Sequence, residues 1–172
     1  MKELIGQQLD NYRIESLLGE GGMGAVFKAR DMNLNRVVAV KVMDNRLAKQ
    51  PQFQQRFQQE AQAAARLKHP SIVQIYHFDN FHGVLYMAMT YVPGQTLGNY
   101  LRQMYKTGQI IFLRETLGLV AQVADALGYA HRQGVVHRDI KPDNVLMEAL
   151  NEPDREGDPP VRAVVTDFGL AK

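Results

Sequence analysis

Gly19-Glu20-Gly21-Gly22-Met23-Gly24-Ala25-Val26-Phe27-Lys28-Ala29-Arg30 is the stretch whose reading decides the fold. Its first six residues fit the spacing G-x-G-x-x-G. That spacing serves flexible hairpin turns, dinucleotide-binding loops and flaps over phosphates alike. A dinucleotide-binding fold needs a helix directly after the glycines, and Ala25 to Arg30 has an extended pattern instead. A Walker loop is excluded, because no Gly-Lys-Ser/Thr closes the motif. Glycines between two strands make a hairpin flap whose backbone N–H groups can approach phosphates closely. The bland alternative, an ordinary flexible turn, stays open on this stretch alone.

Outward from the glycines, the chain reads as strands. Tyr12 to Leu18 precedes them. Asp31-Met32-Asn33-Leu34-Asn35 has turn chemistry, and the Val-rich run Val37 to Val42 has high strand propensity. These are antiparallel hairpin signals. Pro51 suits the first turn of a helix, in which Phe53, Phe57, Glu60 or Ala61, and Ala64 recur at helical spacing up to about Leu67. Ile72 to Phe78 and Val84 to Thr90 read as further strands. Pro93-Gly94 breaks the chain, and Thr96 caps a helix over Leu97 to Tyr105. A longer helix follows, with Leu117, Val120, Ala121, Ala124 and Leu127 as its apolar stripe and Gly134 as its stop. Short extended pieces come last, at Val135-Val136, Val145 to Met147 and Val161 to Thr166. Glu148 to Pro160, rich in acids and proline, reads as a solvated loop. This is α+β organisation with a hinge near Tyr91 to Gly94.

Composition narrows the function. The 172 residues suffice for a real core, and hydrophobic residues make up 45%. Twenty Lys and Arg against 18 Asp and Glu leave a net charge of +2, which gives no reason to expect nucleic acid or an anionic membrane as partner. There is no Cys, so disulfides, thiolate metal sites and a Cys nucleophile are excluded; a reducing cytoplasm is compatible. Asn80 to Leu101 lacks charged residues, but its Gly, Pro and Asn content suits a strand, a turn and a helix start better than a membrane span.

Three clusters carry chemistry. Lys41 sits in Val37-Val38-Ala39-Val40-Lys41-Val42. It is either an edge-strand charge or, if it points into a cleft, a cation that needs a carboxylate or an anionic ligand. Glu60 is the only carboxylate between Asp44 and Asp79 and lies on the apolar stripe of a Gln-rich helix. It is either an inward-facing partner or a boundary residue with its tip in water. The third cluster is His137-Arg138-Asp139-Ile140-Lys141-Pro142-Asp143-Asn144, followed by Asp167-Phe168-Gly169. Phosphoryl transfer needs a carboxylate to orient the attacking hydroxyl, oxygen ligands for a hard cation, and positive side chains for the transferred group. Asp139 suits the first role, Asn144 and Asp167 the second, and Lys141 and Lys41 the third. Taken singly, Asp143 and Asn144 could be turn formers, His137 a core histidine and Asp167 a cap.

Together, in this order, the motifs resemble the eukaryotic-type protein kinase superfamily over roughly Tyr12 to Lys172. Lys141, two residues after Asp139, resembles the serine/threonine branch, and Gly19 to Asp31 is similar to bacterial members. The resemblance implies a two-lobe fold. Residues 1–11 would be an N-terminal extension and 12–172 a partial kinase domain. The N-lobe, an antiparallel sheet plus one helix, would span about 12–90, the hinge about 90–95 and a mainly helical C-lobe about 96–172.

It also implies a substrate and cofactors: Ser or Thr of a protein, ATP and Mg²⁺. Gly19, Glu20, Gly21, Gly22, Met23 and Gly24 would cover the phosphates. Leu18, Val26, Ala39 and Leu146 would sandwich adenine. Met89 would stand beside it, and the backbone of Thr90 and Val92 would bond to it. Lys41 would bind phosphate and pair with Glu60. Asp139 would be the catalytic base or orienting acid, Lys141 would approach the γ-phosphate, and Asn144 and Asp167 would hold Mg²⁺. Ala64, Ile75, His137 and Phe168 would stack as a spine. Arg138 would pair with a phosphorylated residue of the activation segment. Lys172 falls three residues past Gly169, before the later helices of such a domain. The expectation is therefore that the Leu117, Val120, Ala124 stripe lacks cover and favours self-association, and that the chain binds nucleotide better than it uses it.

Overall fold

The computed structural model describes residues 2–110, 112–150 and 160–168; the side chains of Lys2 and Glu60 lie outside that description. The chain divides into two compact units. One comprises residues 1–65 and 74–91, the other 66–73 and 92–172.

The first unit is built on a six-stranded antiparallel sheet in the order β1-β2-β3-β4-β6-β5. Its strands are β1 (Gln8–Leu9), β2 (Tyr12–Gly21), β3 (Gly24–Asp31), β4 (Arg36–Met43), β5 (Ile75–Phe81) and β6 (Val84–Thr90). β2 and β3 run up to a tight turn at Gly22-Met23, with Gly21 paired to Gly24. Gly24 has φ 148°, and a Cβ there would overlap the Val42 carbonyl oxygen, so the close approach of β3 to β4 requires glycine. The turn between β3 and β4 is an Asx turn: Asp31 Oδ1 accepts from the Asn33 and Leu34 N–H groups, both at 3.1 Å.

Side-chain alternation sorts the sheet into two faces. Ala25, Phe27, Ala29, Val38, Val40, Val42, Tyr86 and Ala88 join Leu9, Tyr12 and Ile14 in one buried cluster. Val26, Lys28, Ala39, Lys41, Met87 and Met89 therefore share the opposite face. A short helix, α1 (Asn45–Ala48), is capped by the Asp44 side chain, which accepts from Arg46 N–H at 2.8 Å. An element of four residues is too short to carry a periodic signal. Helix α2 (Pro51–Ala65) packs on β5, with the Phe57 and Phe78 rings 5.6 Å apart and Phe57, Ala61 and Ala64 buried.

The expected strand from Ile72 to Phe78 is divided. Only Ile75 onward joins the large sheet. Ser71 to Val73 bond instead to Val165 of the second unit: Val73 N–H donates to Val165 O at 3.0 Å, and Val165 N–H to Ser71 O at 2.8 Å. One apolar run thus serves two cores, which a periodicity count cannot detect.

The second unit holds a three-stranded sheet, β7 (Gly94–Thr96), β8 (Val145–Ala149) and β9 (Val161–Val165), and helices α3 (Leu97–Thr107) and α4 (Leu113–Arg132). Thr96 caps α3 by accepting from Asn99 N–H at 3.1 Å. Gly134 (φ 76°) follows the end of α4 as the sequence implies. Glu148 and Ala149 belong to β8, and Glu148 pairs with Arg162 at 3.1 Å. The expected acidic loop is therefore shorter at this end, and its residues 151–159 lie outside the described residues.

Helix α4 has two apolar faces. Leu119 (4% exposed), Ala126 and Ala130 are buried, with Val123 partly so, at spacings of 4, 3 and 4. Leu119 and Val123 pack with Val145, Met147 and Ala163. The stripe expected from sequence lies on the other face, where Leu117 and Val120 are 58% and 59% exposed and Ala121 and Ala124 are exposed too. Apolar spacing alone did not say which stripe the small sheet would cover.

Candidate functional site

In the first unit the candidate residues fall in rows across the strands. Gly19 pairs with Val26, Val26 with Lys41 and Lys41 with Met87. Ala39 pairs with Lys28 on one side and Met89 on the other. Paired residues share a face, so Val26, Ala39, Lys41 and Met89 lie together, away from the large core. The register of β2 against β3 shifts between Leu17 and Gly19, which leaves Leu18 as the extra residue of a bulge. Bulges re-aim a side chain, and Leu18 is exposed beside the glycine turn. Added Cβ atoms on Gly19, Gly21 and Gly22 would meet nothing within 4 Å, so space adjoins the flap. Lys41 is 7% exposed on its Val-rich strand, which answers the edge-strand alternative: β4 is central, between β3 and β6. The expected partner side chain, Glu60, lies outside the described residues. Thr90 ends β6, and its N–H donates to Gln74 O at 2.9 Å.

The second unit carries Asp139, Lys141 and Asn144 on the segment between α4 and β8, and Asp167 two residues past the end of β9. Asn144 anchors the group. Its side-chain Nδ2 donates to Asp139 O at 2.8 Å and to Asp139 Oδ2 at 3.2 Å. Its main chain accepts from Thr166 N–H at 3.0 Å. Lys141 Nζ donates to the same Asp139 Oδ2 at 2.8 Å. The Lys141 hydrogen bond, aided by that of Asn144, holds the Asp139 carboxyl below the ordinary carboxylate range. The Lys141 ammonium is raised in turn, chiefly by Asp139. Asp139 is therefore an ionised acceptor at neutral pH.

His137 supports this loop from beneath. It is buried, Asp139 N–H donates to its Nδ1 at 3.3 Å, and its Nε2 lies 2.9 Å from Thr166 O. An accepting Nδ1 requires the neutral tautomer with hydrogen on Nε2, which then donates to Thr166. The ring also lies 4.6 Å from that of Phe168. The core-histidine reading holds, and of the expected spine the His137–Phe168 contact is present. Arg138 (φ 66°) and Asp167 (φ 62°) are both left-handed although neither is glycine. Each such residue costs about 1–3 kcal/mol and persists where the surroundings over-determine it.

One supporting contact was not foreseen. Asp143 accepts from Arg102 at 2.7 Å, which lowers its pKa, and it packs so tightly on the first turn of α3 that a Cβ on Gly98 would overlap its carboxylate. A glycine inside a helix start is the signal that could have pointed to it. Leu146 pairs with Thr96 and Val164 in the small sheet, and Val92 is buried.

The residues fit a hard divalent cation. Asn144 makes its side-chain hydrogen bonds to Asp139 through Nδ2, so its Oδ1 can serve as an oxygen ligand, with the Asp167 carboxylate as the second.

Residues 12–172 match the protein kinase domain model. Serine/threonine-protein kinase pkn3 of Myxococcus xanthus is 41% identical over 99% of this chain and 30% of its own length. Serine/threonine-protein kinase PrkC of Bacillus subtilis is 36% identical over 98% of this chain and 24% of its own length. The crystal structure of the Mycobacterium tuberculosis PknI kinase domain, as a double mutant, superposes with a TM-score of 0.81 at 31% identity, over 97% of this chain and 62% of that one. The chain belongs to the protein kinase domain family and has its α+β, two-lobe fold. It spans under a third of the length of these curated relatives.

Proposed function

We propose that this chain carries the nucleotide-binding and phosphoryl-transfer groups of a serine/threonine protein kinase, which moves the γ-phosphate of ATP to Ser or Thr of a protein substrate. The observation that carries the proposal is the Asp139, Lys141, Asn144 cluster, where an ammonium and an amide N–H group both donate to one ionised carboxylate. Asp139 orients the substrate hydroxyl and takes its proton. Lys141 stands ready for charge on the transferred group. Asn144 and Asp167 hold Mg²⁺, which when bound neutralises charge on the phosphates.

In the first unit, Lys41 binds phosphate oxygens and pairs with Glu60. Gly19, Glu20, Gly21, Gly22, Met23 and Gly24 cover the phosphates. Leu18, Val26, Ala39, Met89 and Leu146 bound the adenine, and the backbone of Thr90 and Val92 bonds to it. A reaction that draws on ATP and Mg²⁺ suits the cytoplasm; no helix among the described residues is long and apolar enough to cross a membrane.

The test is incubation with γ-labelled ATP, Mg²⁺ and a generic basic protein, followed by phosphoamino-acid analysis. Weak label confined to Ser and Thr is expected, since this chain is expected to bind nucleotide better than it uses it. Label on Tyr alone, or none above a no-enzyme blank, overturns the proposal.

A second reading concerns association. The bare face of α4, at Leu113, Leu117 and Val120, supports self-association. Sedimentation of the wild type against Leu117→Asp tests it: a dimer that the substitution dissolves is expected, and a concentration-independent monomer overturns it.

A further inference from the structure

Side chains from the two margins of the large sheet come together. β1 and β5 stand at opposite ends of the strand order, yet Asp10, in the turn between β1 and β2, reaches His77 and Asp79 of β5. One ligand atom from each of the three lies within 4.8 Å of the other two. The sheet is therefore curled enough to bring its margins together at one point, and that point is lined by an imidazole and two carboxylates.

The sequence builds this point through one irregularity. Ile75 pairs with Met89, but His77 pairs with Ala88, so the register shifts by one between them. Without that bulge, Ile75 and His77 would share a face. With it, Ile75 stays on the Lys41 face while His77 and Asp79 turn to the face of the large core, where Tyr86 and Ala88 lie.

Asp10 is held by a buried donor. The Tyr86 hydroxyl donates to Asp10 Oδ2 at 2.7 Å, in the manner of the outer-shell groups that orient metal ligands. His77 Nε2 and Asp79 Oδ2 are already 3.8 Å apart. Donors about 2.1 Å from a tetrahedral ion stand about 3.4 Å apart, so modest rotation of two exposed side chains reaches bonding geometry. Both carboxylates add to burial and the Asp10 hydrogen bond in raising the Tyr86 hydroxyl's pKa.

We propose that Asp10, His77 and Asp79 form a binding site for a divalent transition-metal ion of the zinc type, which staples the two edges of the sheet. The ligand set is imidazole plus carboxylates, which suits zinc and its first-row neighbours and is poor for magnesium, whose sites are all-oxygen. Water completes the coordination, since His77 and Asp79 are about half exposed. The staple ties residue 10 to residue 77 within one unit and on the opposite face from Lys41. It acts on the stability of the sheet rather than on the phosphoryl chemistry.

The test is calorimetric titration of the full chain with zinc chloride at neutral pH, without nucleotide or magnesium, alongside thermal melting. Wild type is expected to bind one zinc at this site and to melt at a higher temperature with it. His77→Ala and Asp79→Asn, both at exposed positions, are expected to weaken that binding at least about tenfold and to abolish the melting shift. Asn144→Ala is expected to retain both. Binding is also expected to weaken on acidification, because protons compete with the metal for its ligands. No zinc bound at about a hundred micromolar, a concentration at which a site of micromolar affinity is saturated, would overturn the proposal. So would binding unchanged in both variants, or binding lost equally in Asn144→Ala.

Discussion

The candidate residues of the two units are positioned by different means. In the first unit their side chains stand on regular strands, and alternation alone decides where they go: Val26, Ala39, Lys41 and Met89 share one face because Val38, Val40, Val42 and Phe27 are committed to the core on the other. In the second unit Asp139, Lys141 and Asp167 stand on irregular backbone with two left-handed residues. Position there comes from Asn144, His137 and Thr166 acting as hydrogen-bonded scaffolding. A strand site is fixed by the packing of its neighbours, and a loop site by polar bonds that each cost something when lost.

The contrast can be broken most forcefully at the core beneath the loop. Leu119→Ala is expected to cost about 2–5 kcal/mol by leaving a cavity, whereas Leu117→Ala, two residues away on the bare face, is expected to stay within about 0.5 kcal/mol; urea unfolding checks both. Equal costs would mean that the bare face is covered in solution. Asn144→Ala comes next. It removes the Asp139 tether and an oxygen ligand together, so the Mg²⁺ requirement of phosphoryl transfer is expected to rise about 10- to 100-fold, as read from a magnesium titration of the rate. On the strand side, Gly24→Ala is expected to destabilise by about 1–3 kcal/mol, since alanine at φ 148° is strained and its Cβ meets Val42. Denaturant melting measures this.

The smallest effect is electrostatic. Asp139 is held low mainly by Lys141, so its ionised form persists at neutral pH and is lost only as pH falls through a value below 3.8. Lys141→Ala removes the main cause. The carboxyl titration, followed by NMR, is then expected to move up toward 3.8.

The same contrast explains what could be read in advance. The rows of the large sheet were legible because Val-rich alternation declares its own faces. The loop residues were legible only as a motif, since nothing in their spacing reveals that His137 accepts from Asp139 or that Arg138 and Asp167 turn left-handed. Three features stayed hidden for a physical reason. Ser71 to Val73 serve a second core, the covered stripe of α4 depends on which face β9 meets, and Asp10 meets His77 only because the sheet curls. Each is a long-range fact with no local signature.

The central claim is that Asp139 performs the transfer while other residues hold the nucleotide. The most direct measurement compares wild type and Asp139→Asn in two assays on one preparation, Mg·ATP binding and transfer of labelled phosphate to a protein substrate. The predicted result is retained nucleotide binding with transfer reduced by about 10²- to 10⁴-fold. Transfer at the wild-type rate by Asp139→Asn, with binding intact, would contradict the account.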